Sequence, residues 1–105
     1  MTKCIRDGKV AILYSPGYGS GWSTAEEGKQ RDFLLFDKRI VELVEDKRFD
    51  EVKKYVDSVY PDEFYLEGAD QLEIMWVPLG TEFRVEEYDG SEYIQLNHRD
   101  YWSVA

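Results

Sequence analysis

Three features of the sequence predict a small α+β domain in which two helices pack on one face of a mostly antiparallel sheet of four to five strands. Val10-Ala11-Ile12-Leu13 is apolar without alternation, residues 37 to 60 carry two helical patterns, and Asp89-Gly90 separates two alternating segments. The 105 residues, 43% hydrophobic and 15% aromatic, are enough for one core, so residues 1–105 are expected to form a single domain.

Lys9 to Tyr14 reads as a strand, and its unbroken apolar run implies cover on both faces, in the middle of the sheet. A glycine-rich loop follows. Ala25 to Asp32 shows no periodicity and is expected to be an irregular connector, able to serve as a flap over that loop. Phe33-Leu34-Leu35-Phe36 is a compact apolar run. Asp37 after it suits the N-cap of a helix through about Lys47, with Phe36 and Val41 placed as a hydrophobic staple and Ile40, Val41, Leu43 and Val44 as the buried face. From near Asp50, Val52, Tyr55, Val56, Val59 and Tyr60 follow the i, i+3, i+4, i+7, i+8 pattern, and Pro61 stops the second helix. Lys53, Lys54 and Asp57 form its solvated side.

Leu72, Ile74 and Trp76 alternate with Glu73, Met75 and Val77 in a strand that ends at Pro78-Leu79-Gly80. Glu82 to Tyr88 and Ser91 to Leu96 flank Asp89-Gly90, a two-residue turn that needs positive φ at both positions and so sets the hairpin register. Val85 then faces Ile94 and Phe83 faces Leu96 on the core side, with Glu86 opposite Tyr93 and Arg84 opposite Gln95 on the other. Glu87 falls opposite Glu92, a like-charge pair expected to be relieved by solvent at the hairpin tip. Tyr101-Trp102-Ser103-Val104-Ala105 is a candidate last short strand. The order is β-α-α-β-β-β, with or without that strand.

The net charge of −9 is unevenly spread: residues 1 to 56 hold 11 basic and 10 acidic side chains, residues 57 to 105 hold 2 and 12. Such a field repels phosphate backbones and excludes direct nucleic-acid binding as the expectation, while it favours a basic protein surface as partner. Glu82, Glu86, Glu87, Asp89 and Glu92 are the candidate partner-facing residues. Cys4 is the only cysteine, so no intrachain disulfide forms and a cytoplasmic setting is expected. No apolar stretch approaches a membrane span, and no membrane partner is expected.

Ser15-Pro16-Gly17-Tyr18-Gly19-Ser20-Gly21-Trp22-Ser23-Thr24 is the candidate binding loop, with Gly17, Tyr18, Gly19, Gly21, Trp22, Ser23 and Thr24 as its site residues. Its amides can cradle an anion, and Tyr18 or Trp22 can stack on a base or ribose; equally, Trp22 can plug the core of a purely structural loop. The spacing is neither that of a P-loop nor that of the dinucleotide fingerprint. Lys9, Lys29, Arg31, Lys38 and Arg39 lie near enough in sequence to offset a ligand's charge. His98 beside Asn97, Arg99 and Asp100 lacks an identifiable nucleophile, and the carboxylates lack calcium-loop spacing, so no catalytic residue, metal or cofactor is assigned.

The loop, the Leu34-Leu35-Phe36-Asp37-x-x-Ile40-Val41 segment and the stretch from Pro78 to Glu92 resemble a group of small, functionally unassigned proteins of tailed-phage genomes. The resemblance covers most of residues 9 to 105 and carries no catalytic residue with it. It implies a phage or prophage setting, in the host cytoplasm, where small acidic proteins act on host enzymes or defence systems. Two functions are expected on these grounds: a non-enzymatic protein whose loop holds a small anionic or nucleotide-like ligand, or an acidic inhibitor, one form of which imitates nucleic acid, of a basic host protein. An enzyme ranks third. A homodimer through a sheet edge is a further expectation, with the hairpin or the terminal strand as that edge and Tyr93 and Tyr101 exposed on it.

Overall fold

Val10, Ala11, Ile12 and Leu13 are all buried, because the strand that carries them has apolar layers on both sides. The computed structural model describes residues 2–17, 21–64 and 66–97. In chain order these form β1 (Ile5–Arg6), β2 (Lys9–Tyr14), α1 (Gly28–Phe36), α2 (Lys38–Glu45), α3 (Phe49–Val59), a short 3-10 helix (Glu67–Gln71), β3 (Glu73–Pro78), β4 (Glu82–Tyr88) and β5 (Ser91–Asn97). The α+β class holds, with β2 in the middle of an antiparallel sheet of order β1-β2-β3.

The two faces of β2 lead into two cores. Ala11 and Leu13 join Cys4, Ile40, Val41, Leu43, Val44, Val52 and Val56 in a core shared with α2 and α3. Val10 and Ile12 join Val77, Leu35, Phe36 and Val85 in a second core under the β4–β5 hairpin, with Met75, Phe83, Ile94 and Leu96 packed against it. The hairpin is therefore a separate two-stranded sheet that covers the face opposite α2 and α3, not an extension of the main sheet. The reason is apolar surface: Val10, Ile12, Met75 and Val77 make a face that no helix reaches except the end of α1, and the inner row of the hairpin is the remaining apolar cover. Gly80, at φ +87°, and the Thr81 N–H donating to Pro78 O at 3.0 Å turn the chain from β3 into this second layer.

The hairpin register matches the expectation pair for pair, from Glu82 opposite Asn97 to Tyr88 opposite Ser91, around Asp89 at φ +52° and Gly90 at +82°. An identical signal opens the chain: Asp7 at φ +50° and Gly8 at +74° join β1 to β2. Periodicity does not reveal this hairpin, because Ile5–Arg6 is too short to show alternation.

Asp37 caps α2 as expected, its Oδ2 accepting from the Ile40 N–H at 3.2 Å. α1 is the helix that periodicity missed, in place of the irregular connector expected over Ala25 to Asp32. Its four consecutive buried residues, Phe33 to Phe36, divide between the two cores, so they wrap around the helix and leave no stripe. The same division places Phe36 and Val41 in different cores, and the expected staple between them is not made. In α3 Val52 and Val56 are buried, Tyr55 and Tyr60 set their rings 6.0 and 5.2 Å from that of Phe33, and Val59 is exposed. Lys53 on its outer side reaches Asp70 at 3.0 Å. The candidate strand Tyr101–Ala105 lies outside the described residues.

Asp37 also bonds across to α3. Burial, and then the hydrogen bond to the Asp37 carboxylate, push the Tyr55 hydroxyl from 10.0 up to about 12. A raised folded-state value means that the protonated phenol contributes stability in full below pH 10.0, which is lost as pH rises through about 12. Denaturant midpoints followed through this alkaline window should fall more steeply for the natural chain than for Tyr55→Phe. Parallel curves would show that Tyr55 is as free to ionise in the folded protein as in the unfolded chain.

Candidate functional site

The glycine-rich loop leaves the end of β2 and meets the start of β5. Ser15, fully buried, donates its N–H to Glu92 Oε1 at 3.0 Å, and the Glu92 N–H donates back to Ser15 O at 2.8 Å. Ser91 Oγ adds a bond to Pro16 O at 2.6 Å. On the returning limb, the backbone N–H groups of Trp22, Ser23 and Thr24 all donate to Glu92 Oε2, at 2.8, 3.0 and 3.1 Å, and Thr24 Oγ1 donates to the same oxygen at 3.0 Å. Successive amides converging in this way form a nest, the kind of anion cradle that the sequence suggested. Its occupant is the chain's own carboxylate.

Glu92 is 2% exposed, and its charge is held by donors supplied by the loop. This corrects two expectations: Glu92 is not part of a partner-facing surface, and the Glu87–Glu92 pair is not relieved by solvation of both members. Glu87 is the exposed one, with Oε2 accepting from the Gly90 N–H at 2.7 Å. The register puts both Glu87 and Glu92 on the face of Ile94 and Leu96, so it marks the pair as needing solvent or donors, and which member is buried depends on donors brought by the loop.

Trp22 is also interior. The indole is 6% exposed within the helix-side core, and Nε1–H donates to Leu34 O at 2.7 Å, so the ring is the core plug and is not presented for stacking. Gly21 takes φ +75°, and its carbonyl lies so close to Gly68 that a Cβ there would sit 1.9 Å from the oxygen. The 3-10 helix thus packs directly on the loop backbone. Gly17 and Thr24 are half-buried and Ser23 is buried, while Tyr18 and Gly19 lie outside the described residues, as does His98.

Beside the loop, against the hairpin tip, is an open cleft of about 320 Å³ lined by Gly21, Thr24, Glu26, Phe64, Glu87, Gly90 and their neighbours. Glu26 and Glu87 are the ionisable groups among its described lining residues, and none of Lys9, Lys29, Arg31, Lys38 or Arg39 reaches it. Two carboxylates and an aromatic ring suit a cationic group, not an anion. On the outer face of the hairpin, Glu82 is exposed, Glu86 pairs with Arg84 Nε at 2.8 Å, and Asp89 is exposed at the turn. Tyr88 and Tyr93 stand among them, 75% and 51% exposed.

Among the described residues no group of three or more His, Cys, Asp or Glu side chains could hold a metal ion, and no helix is long and apolar enough to cross a membrane. Comparison of the chain with protein-family models, with curated proteins and with solved structures finds no match.

Proposed function

We propose that the protein is a non-enzymatic, acidic binding protein that presents the tip and outer face of the β4–β5 hairpin to a basic surface of a partner protein, in the phage and host-cytoplasm setting that the resemblance implies. The partner would be a host nucleic-acid enzyme or defence protein whose own substrate is polyanionic. One observation carries this reading: the amides of Ser15, Trp22, Ser23 and Thr24 are engaged by Glu92, while the described lining of the cleft beside them includes Glu26 and Glu87 and no lysine or arginine. A small anionic or nucleotide-like ligand would have to displace a buried carboxylate or bind next to two exposed ones. A partner's arginine or lysine faces neither obstacle. Tyr88 and Tyr93 add the exposed aromatic area on which interface affinity concentrates.

The test is capture from host lysate by the immobilised protein at low and at high salt, beside the charge-reversed variant Glu26→Lys/Glu87→Lys. Wild type should retain at low salt a protein that it releases at high salt, because charge-steered association is screened beyond a Debye length of about 8 Å at physiological ionic strength. The variant should bind that same protein at least about tenfold more weakly, since like charges then face each other across the interface. Empty capture at low salt, or capture that the charge reversal leaves unchanged, would remove the proposal.

A further inference from the structure

The sheet edges of this fold are not equally protected. β1 is two residues long. β4 carries Glu82, Arg84, Glu86 and Glu87, and β5 is clipped to the end of β2 through Glu92 and Ser91. β3 differs from all three. It runs six residues, pairs on one side with β2 in a continuous register, and among the described residues has no strand on its other side. Between Glu73 and Pro78 it offers Ile74-Met75-Trp76-Val77, the first three half-exposed, with no lysine, inward charge or bulge. Those are the devices by which edges avoid pairing with another chain.

We propose that β3 pairs antiparallel with β3 of a second copy of this chain, joining the two main sheets into one across a two-fold axis. The occupant follows from self-complementarity. A two-fold axis normal to the sheet keeps each layer on its own side, so paired residues must share a face. Ile74 and Trp76 face the helix layer, and Met75 and Val77 the hairpin layer. Placing Met75 on the axis satisfies this: Ile74 of each copy meets Trp76 of the other, and Glu73 meets Val77. The two Glu73 carboxylates are kept apart, and Pro78, which has no N–H to donate, falls outside the pairing. Helix layer then adjoins helix layer, and hairpin layer adjoins hairpin layer.

With a net charge of −9 on each chain the copies repel, so added salt should strengthen this contact, whereas it weakens the association with a basic partner. Sedimentation velocity of the full chain over a wide range of protein concentration should show the mass doubling as concentration rises, at lower concentration when salt is added. Met75→Lys sets two ammonium groups opposite each other on the axis and should keep the single-chain mass throughout, with circular dichroism confirming its fold. Hydrogen exchange of the wild-type Ile74 and Trp76 amides, which face the free edge while those of Met75 and Val77 face β2, gives a reading independent of that variant: it should slow as protein concentration rises. A wild-type mass that stays that of one chain, or a dimer whose Ile74 and Trp76 amides exchange at a concentration-independent rate, would overturn the inference.

Discussion

Glu92→Gln is expected to destabilise the domain by about 3 to 5 kcal/mol, although it changes the side chain by little more than one atom. The carboxylate accepts from Ser15 through one oxygen and from Trp22, Ser23 and Thr24 through the other. A carboxamide has one oxygen and one NH₂ group. Whichever way it turns, donors face donors on one side: at best the Ser15 N–H is left without an acceptor, at about 1 to 3 kcal/mol, and the remaining bonds lose the strengthening that the charge supplied. Domain stabilities are of the order of 5 to 15 kcal/mol, so the loss is a large share of the whole. Glu87→Gln, at the opposite hairpin position but exposed, is the control and should stay within about 0.5 kcal/mol. Urea unfolding of the two variants side by side gives the comparison. If Glu92→Gln cost no more than Glu87→Gln, the nest would be dispensable, its amides finding other acceptors.

Trp22→Ala should cost a similar amount, about 3 to 5 kcal/mol, through a different mechanism. The indole belongs to the helix-side core, so its removal leaves a cavity that the rest of that core can close only in part. It also removes a polar contact at the end of α1. In a continuous helix the Leu34 carbonyl would accept from the Lys38 N–H, but Lys38 donates to Thr2 O at 2.8 Å, and the indole N–H takes the vacant place at 2.7 Å. Trp22→Phe separates the two effects: it keeps most of the ring and loses the bond, for about 1 to 2 kcal/mol. A Trp22→Ala loss below about 1.5 kcal/mol would contradict the core assignment and return the indole to the candidate site.

Glu92 and Trp22 hold the loop from its two sides, one tying it to the hairpin and the other to α1. Glycine-rich backbone is costly to order, and a buried carboxylate and a buried indole fix the two described limbs of this loop. The acidic surface that we propose for a partner lies outside this clip, where Glu26, Glu82, Glu86, Glu87 and Asp89 are found.

The sequence by itself determined those features whose causes act within a few residues. Asp89-Gly90 sets the hairpin register because two adjacent positive φ angles admit one tight turn, and Asp37 starts α2 because its side chain reaches an amide three residues on. Unalternating apolar residues place β2 at the centre, since both of its faces must be covered. Only the tertiary structure decided that the hairpin covers the second face of the main sheet, that the apolar run of α1 is shared between two cores, and that the loop amides close on Glu92. That carboxylate lies 77 residues from Ser15 and 68 from Thr24. A glutamate at a hairpin tip has the same local sequence whether water or a ring of amides solvates it, and the choice between them is made by donors that come together only when the chain has folded.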